Sequence, residues 1–426
     1  MVDILPFNGL IYNPEKISKH SEVLAPPYDI ISSSLKEDLK KHSPYNIIAL
    51  TLPDETSSKN KYENAKAILT EWIKEEILKY DFKKCLYLFE ETFMENESQK
   101  SFKGFIGLLK VEEYGAGKVL RHEKTLSKPK EDRLALLKAC RANLEFIYTI
   151  YNDNDERIST TLNHGFKDEP DISTSVNYDS SLHFRFWKIS DEDMVEKIKD
   201  MMKSKTLLIA DGHHRYETSR LYKEHKYILA LFVPGNQKDI LIHPTHRAIK
   251  FNNAVKPEEI IKKIEKYFAV EEIKPDTACI KDKMRESFSM QKKSLCLYFK
   301  NKDCYFITLK VDLKRLYKEL NIVEEHFSTD YEYLDVNILH KLIIEIILAD
   351  SAVKEINFIH SIEEVLELID KNDVNYDFDA GFILNAPTIE TVEKLSYAGK
   401  IMPQKSTYFY PKPCSGLVIY KFDRVD

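Results

Sequence analysis

Apolar residues recur along the chain in two rhythms, and each predicts a different element. Alternating or continuously apolar runs at residues 85–90, 103–111, 227–233 and 238–243 predict strands. Runs at 294–299 and 303–311 flank Asn301 and Lys302 and predict a hairpin. Helical spacing of Val336, Leu339, Ile343, Ile346 and Ile347 predicts an amphipathic helix over 335–350, on which His340 reads as a structural residue. Two further helices are expected at 131–143 and 254–268, the first beginning only after Pro129, which should break any helix there. Near the end, a strand at 379–384 leads through Asn385-Ala-Pro-Thr388 into a helix at 389–398 stopped by Gly399. Strands and helices mix throughout, so the fold class is α+β. Three parts are expected: an N-terminal α/β extension over 1–115, a core over 116–250, and a C-terminal α/β domain over 251–426.

Composition narrows the function classes. The net charge is −6 and both signs are interspersed, which speaks against a general nucleic-acid binder. The six cysteines are scattered without a framework spacing, so a reducing, cytoplasmic setting is expected. The densest apolar run, 342–348, is interrupted by Glu345 and is too short to span a bilayer, so no membrane partner is expected. Glycine is scarce, 11 in 426 residues, and neither a Walker loop nor a G-x-G-x-x-G fingerprint occurs. Any phosphate must therefore be gripped by side chains and helix ends.

Three segments carry the candidate chemistry. At 205–215 an apolar run stops on Asp211-Gly-His-His-Arg215, and a helix is expected over 216–226. Strand, tight turn and helix aim backbone N–H groups and the positive helix end at an anion. His213, His214 and Arg215 are donors suited to phosphate, and Asp211 suits a metal ion or a proton. Read alone, Asp-Gly is a turn and the two histidines are turn residues. The absence of His-Glu-x-x-His and Cys-x-x-Cys speaks against zinc. The second segment sets Glu123 among Arg121, His122 and Lys124, where an ionised carboxylate can act as base toward a hydroxyl beside a phosphate. The third runs from Met402 to Pro413, with Lys405, Ser406 and Thr407 as adjacent donors pinned between prolines. Pro26 and Pro27 stiffen the approach to Tyr28 and Asp29, either to complete a pocket or as a rigid loop.

Taken in order, Glu123, Asp211-Gly-His-His-Arg215 and Pro403-Gln-Lys-Ser-Thr407 resemble the free-serine kinases first recognised in archaea, whose fold is shared with ParB and sulfiredoxin. Ala25-Pro-Pro-Tyr-Asp29, His122-Glu-Lys-Thr125, Asp211 to Glu217 and Met402 to Phe409 also resemble a large, long-unnamed bacterial family over essentially the whole chain. The kinase resemblance implies a ParB/sulfiredoxin-like core and phosphorylation of free L-serine to O-phosphoserine with Mg²⁺. It implies Glu123 as general base, Asp211 with His213, His214 and Arg215 on the donor and its metal, and Lys405, Ser406 and Thr407 on phosphate or the serine carboxylate. His122, Arg133, His246, Arg247, Tyr28 and Asp29 are further candidates for the substrate end. The compact cationic inventory favours pyrophosphate as donor, followed by ADP or ATP. Phe409 stands where the archaeal pattern has a histidine. A phosphoserine phosphatase or reverse phosphotransferase, and a ParB-like nucleotide- or DNA-binding protein, are the rival readings.

Overall fold

The computed structural model describes residues 1–115, 117–125, 127–253, 256–320, 328–349, 353–371 and 377–422. Contacts divide the chain into two units. The first comprises Met1–Arg121, Thr125–Leu241 and Pro411–Asp426; the second comprises His122–Lys124 and Ile242–Tyr410. Residue 115, where a division was expected, falls inside the first unit, whose main sheet draws strands from both sides of it.

That sheet is mixed and nine-stranded, in the order Val119–Leu120, Leu207–Asp211, Ile147–Tyr151, Tyr227–Pro234, Ser98–Lys110, Leu86–Glu95, Asp179–Ile189 and Ile172–Val176, with Ile4–Leu5 also pairing onto Ser98–Lys110. Ile147–Tyr151 and Tyr227–Pro234 run parallel, and their apolar runs are continuous because both faces are covered. One face packs Leu88, Phe105, Trp187, Ile209 and Phe232 with Ile158, Leu162, Val195, Ile198 and Met202 from the helices Arg157–Gly165 and Glu192–Met202. The expected strands at 85–90 and 103–111 are longer than the apolar pattern showed, and join in a tight hairpin whose turn residues Asn96 and Glu97 have φ of 49° and 61°. Gly104 sits where a Cβ would come 2.4 Å from the Phe232 carbonyl oxygen.

Pro129 does not break a helix. The helix spans Ser127–Cys140, and Pro129 lies in its first turn, where a backbone N–H has no intrahelical acceptor to lose. The late segment from Pro411 returns to complete the first unit. Ser415 exchanges backbone hydrogen bonds with Ala25, Ile419 does so with Leu10, and Tyr420–Lys421 pairs with Ala142–Asn143.

The second unit is built on a six-stranded antiparallel sheet, ordered Phe268–Glu272, Cys304–Leu309, Ser294–Phe299, Ala380–Ile383, His246–Phe251 and Val353–Ile359. The expected hairpin around Asn301 and Lys302 is present. The expected 335–350 helix is α-helical only over Asp335–Asn337 and then π-helical over Ile338–Ile347, ending with Leu348 N–H on the Ile343 carbonyl at 2.8 Å; residue 350 lies outside the described residues. Its apolar side, Ile338, Leu339, Leu342, Ile343 and Ile347, joins the core with Ile249, Leu297 and Phe382. Among the described residues no helix is long and apolar enough to cross a membrane, and the six cysteines are free thiols. Because backbone cannot yield as a side chain does, Gly104→Ala should lower the unfolding free energy by about 1–3 kcal/mol in urea denaturation.

Candidate active site

Two sequence motifs separated by almost the whole second unit meet within it. Glu123 forms a parallel backbone bridge with Met402, and Met402 N–H donates to the His122 carbonyl at 2.8 Å. The buried His122 ring contacts the Thr407 hydroxyl through Nε2 at 2.8 Å. Phe409, also buried, lies with its ring 5.9 Å from that of His122. Ser406 turns its hydroxyl onto the Pro403 carbonyl at 2.6 Å, closing the loop on itself.

Arg247 fastens this loop from behind. Its side chain is fully buried, 0% exposed, and donates to the carbonyls of Thr245, His246 at 3.3 Å, Gln404 at 3.4 Å and Lys405 at 2.9 Å. It lies 4.5 Å over the Phe358 ring and donates through Nε to His340 Nε2 at 3.4 Å. Burial lowers the guanidinium pKa to about 10, against the opposing field of Glu123, so it stays charged at neutral pH. Lys405 is held in the left-handed region, φ 55°, by these carbonyl contacts. His246, expected at the substrate, is instead buried, with Nδ1 accepting from Leu384 N–H at 3.2 Å. Burial, then Arg247 and His360, bring its pKa down to about 3; burial and Arg247 bring His340 down to about 4. Both rings are carried neutral.

Beside the loop opens a cavity of about 660 Å³, a size suited to a small ligand. Arg247, Lys292, Lys293 and Lys405 supply cations to its wall, and Thr245, Ser406 and Asn385 supply uncharged polar groups. The Thr245 hydroxyl is buried without a hydrogen-bond partner among the described residues, so a polar donor or acceptor remains available in this wall. The turn from Asn385 to Thr388 also lines the cavity, and Thr388 caps the following helix, Ile389–Tyr397, by accepting from Thr391 N–H. Lys292, Lys293, Thr245 and Asn385 were not singled out from the sequence, because each sits in an ordinary strand edge or turn.

The first unit holds the other motif. Leu207–Asp211, Gly212 at φ 90° and the helix His213–Leu221 form the expected strand, turn and helix, the helix starting three residues early. Gly212 is needed there because other residues resist that backbone region. Asp211 does not face an open anion site. Its carboxylate pairs with Arg215 Nη2 at 2.5 Å through Oδ2 and with Lys412 at 2.9 Å through Oδ1. Arg215 also donates to the Phe146 carbonyl, and Lys412 pairs with Asp29. Tyr28 donates its N–H to Glu145 at 3.2 Å and stacks on Arg133 at 4.2 Å; Ser415 donates to the same Glu145 oxygen at 2.9 Å. Arg133 spends its remaining donors on Thr51 and Asp132. Burial works against the Lys412 charge, but Asp211 and Asp29 outweigh it and raise the pKa. For Arg215, Glu145, Asp211 and Asp29 likewise overcome burial. These cations are already answered by carboxylates, so the network braces the Tyr28 and Pro411–Ser415 segments. It also fits a resident metal ion poorly, since both Asp211 oxygens are taken by cations. Among the described residues no group of three His, Cys, Asp or Glu side chains could hold one.

Residues 4–337 match the family described as "Protein of unknown function (DUF1015)". No curated protein matches the chain. Among solved structures, a mutant free serine kinase in complex with ADP aligns at 15% identity and a TM-score of 0.34, covering 68% of this chain and 84% of its own. A conserved hypothetical protein from Pyrococcus furiosus aligns at 14% and 0.34, covering 68% and 87%. SbnI with a C-terminal truncation, from Staphylococcus aureus, aligns at 9% and 0.35, covering 75% and 90%. Likeness at this distance assigns no residue a role.

Two outcomes follow from the buried charges. Arg215→Ala leaves Asp211 without one of its two cations in a buried setting and should cost about 3–5 kcal/mol in chemical denaturation. Between the folded pKa values of His246 and His340 and their ordinary value of 6.5, only the unfolded chain takes up their protons. Their contribution to stability is complete above pH 6.5 and falls as the pH drops toward about 4. Urea denaturation at pH 7 and pH 5 should therefore show a smaller acid-induced loss in His340→Gln than in the wild type.

Proposed function

The chain belongs to that family, and we propose that it is a phosphotransferase that converts free L-serine to O-phosphoserine with pyrophosphate as donor. The observation that carries this reading is the joining of Glu123 and His122 to the Met402–Thr407 loop, beside a cavity walled by Arg247, Lys292, Lys293 and Lys405. A base-bearing segment attached to a cation-lined pocket is what transfer to a hydroxyl requires, because phosphoryl transfer is mostly positioning and charge neutralisation. The motif resemblance supplies the acceptor and the direction.

In this reading the serine hydroxyl oxygen forms a bond to one phosphorus of pyrophosphate as the bridging P–O bond breaks. Orthophosphate leaves, and the hydroxyl proton passes to Glu123. Lys405 and the cavity lysines neutralise the donor oxygens, and Ser406, whose hydroxyl proton goes to the Pro403 carbonyl, shapes the loop that presents them. Arg247 acts through the Lys405 loop, since its own donors are taken by four carbonyls and by His340. His122 and Thr407 hold each other and so fix the base-bearing segment. A donor role for His213 and His214 rests on the resemblance alone. Asp211, Arg215, Asp29, Tyr28 and Arg133 are assigned to bracing the first unit, and His246 to positioning Leu384. Mg²⁺ belongs to this proposal as a companion of the donor's phosphate oxygens and water, not as an ion resident on Asp211. A ParB/sulfiredoxin-type ancestry for the core is part of the same proposal.

Purified protein should make O-phosphoserine from L-serine, pyrophosphate and Mg²⁺, releasing orthophosphate in equal amount. Turnover only with ADP or ATP would replace the donor, and no serine-dependent transfer from any of them would end the reading. Glu123→Gln should reduce kcat by roughly 10²- to 10⁴-fold while pyrophosphate binding, followed by calorimetry, persists.

A further inference from the structure

The cavity wall contains two carboxylates, and they are treated differently. Asp330 is paired with Lys394 at 2.6 Å. Asp335 is not paired with any cation among the described residues. Its Oδ2 accepts from the Asn385 backbone N–H at 3.0 Å and from the Asn385 side-chain amide at 3.1 Å. Its Oδ1 has no hydrogen-bond partner among the described residues. A carboxylate held in place by two neutral donors, with one oxygen left over in a cavity, is arranged to meet a cation brought by the ligand.

We propose that Asp335, oriented by Asn385, binds the α-ammonium group of the acceptor and makes the pocket select amino acids over hydroxy acids without an amino group. This rests on the phosphotransferase reading and adds to it the group by which the acceptor is recognised. The rest of the wall is complementary. Lys405, Lys292 and Lys293 can face anionic groups, while Asp335 gives the same cavity a negative point. An ammonium, a carboxylate and an incoming phosphate together match such a mixed wall. Burial raises the Asp335 pKa to about 6, with Asn385 and Lys293 opposing, so the carboxylate is ionised at neutral pH and loses its charge in mild acid. The charged or titratable side chains sharing the wall are Arg247, Lys292, Lys293, Asp330, Tyr333 and Lys405; none of them is a histidine.

The test compares L-serine with 3-hydroxypropionate, which keeps the hydroxyl and carboxylate and lacks the amine. Binding is read by calorimetry and turnover by phosphate release, in the wild type and in Asp335→Asn. The wild type should prefer L-serine by roughly 10- to 100-fold. Asp335→Asn should lose that preference through a raised KM for serine, with pyrophosphate KM unchanged. A second measurement needs no variant: wild-type KM for serine should rise as the pH falls through about 6, while KM for pyrophosphate does not follow. An Asp335→Asn protein that keeps its serine preference, or that loses kcat at constant serine KM, would overturn the ammonium role and leave the phosphotransferase reading standing. If serine neither binds nor reacts but another amino-bearing alcohol does so in an Asp335-dependent way, the serine assignment falls and the ammonium role holds. If no ammonium-bearing acceptor binds, both fall.

Discussion

A guanidinium cation with no exposure to water is costly to place, and much of the second unit is organised around making that placement tolerable. Arg247 is solvated by backbone carbonyls drawn from its own strand and from the loop at Gln404 and Lys405, with a neutral His340 as a further acceptor and the face of Phe358 beneath it. The arrangement works only if the loop carbonyls converge, and their convergence holds Lys405 in a backbone region that non-glycine residues seldom enter. The cost of burying the charge and the cost of straining the loop thus offset each other's alternatives. Removing either leaves the other without its reason.

The first unit solves a related problem with opposite means. Asp29, Lys412, Asp211, Arg215 and Glu145 are arranged as alternating charges, so each cation is answered by carboxylates and not by carbonyls alone. Such a network gives little net stability when compared with apolar packing, but it penalises misplacement of any member. It thereby fixes where Tyr28 and the Pro411–Ser415 stretch can sit. The two units illustrate that a conspicuous cluster of charged residues in sequence can be spent entirely on internal registration.

What the sequence makes legible follows from the range of the interactions. The strand, turn and helix around Asp211 is readable because an apolar run, a glycine at positive φ and a helix start are local features. Three of the six strands in the antiparallel sheet, Ser294–Phe299, Cys304–Leu309 and Ala380–Ile383, are readable for the same reason. The partners of Asp211 are not readable, since Lys412 looks like a spacer between two prolines until the fold brings it back. Asp335 is hidden differently: it precedes a run so apolar that the pattern draws attention to the core and away from the one carboxylate at its start. Pro129 shows a rule applied at the wrong position, because a proline that would break a helix interior is harmless in its first turn. The expectation that Glu123 and Lys405–Thr407 belong together came from resemblance, and the bridge to Met402 gives it a physical basis within one unit.

The return of Pro411 to the first unit has a consequence for how the protein is made. During synthesis the nine-stranded sheet emerges early, yet the backbone partners of Leu10 and Ala25, and the ammonium between Asp29 and Asp211, leave the ribosome only after residues 242–410 have been added. Nascent chains halted anywhere in that interval leave Asp29 and Asp211 without their shared cation and leave several buried backbone groups unpaired. The first unit must therefore wait in an unfinished form while the second is made, and the usual order in which an early domain closes before a later one begins does not hold for this chain.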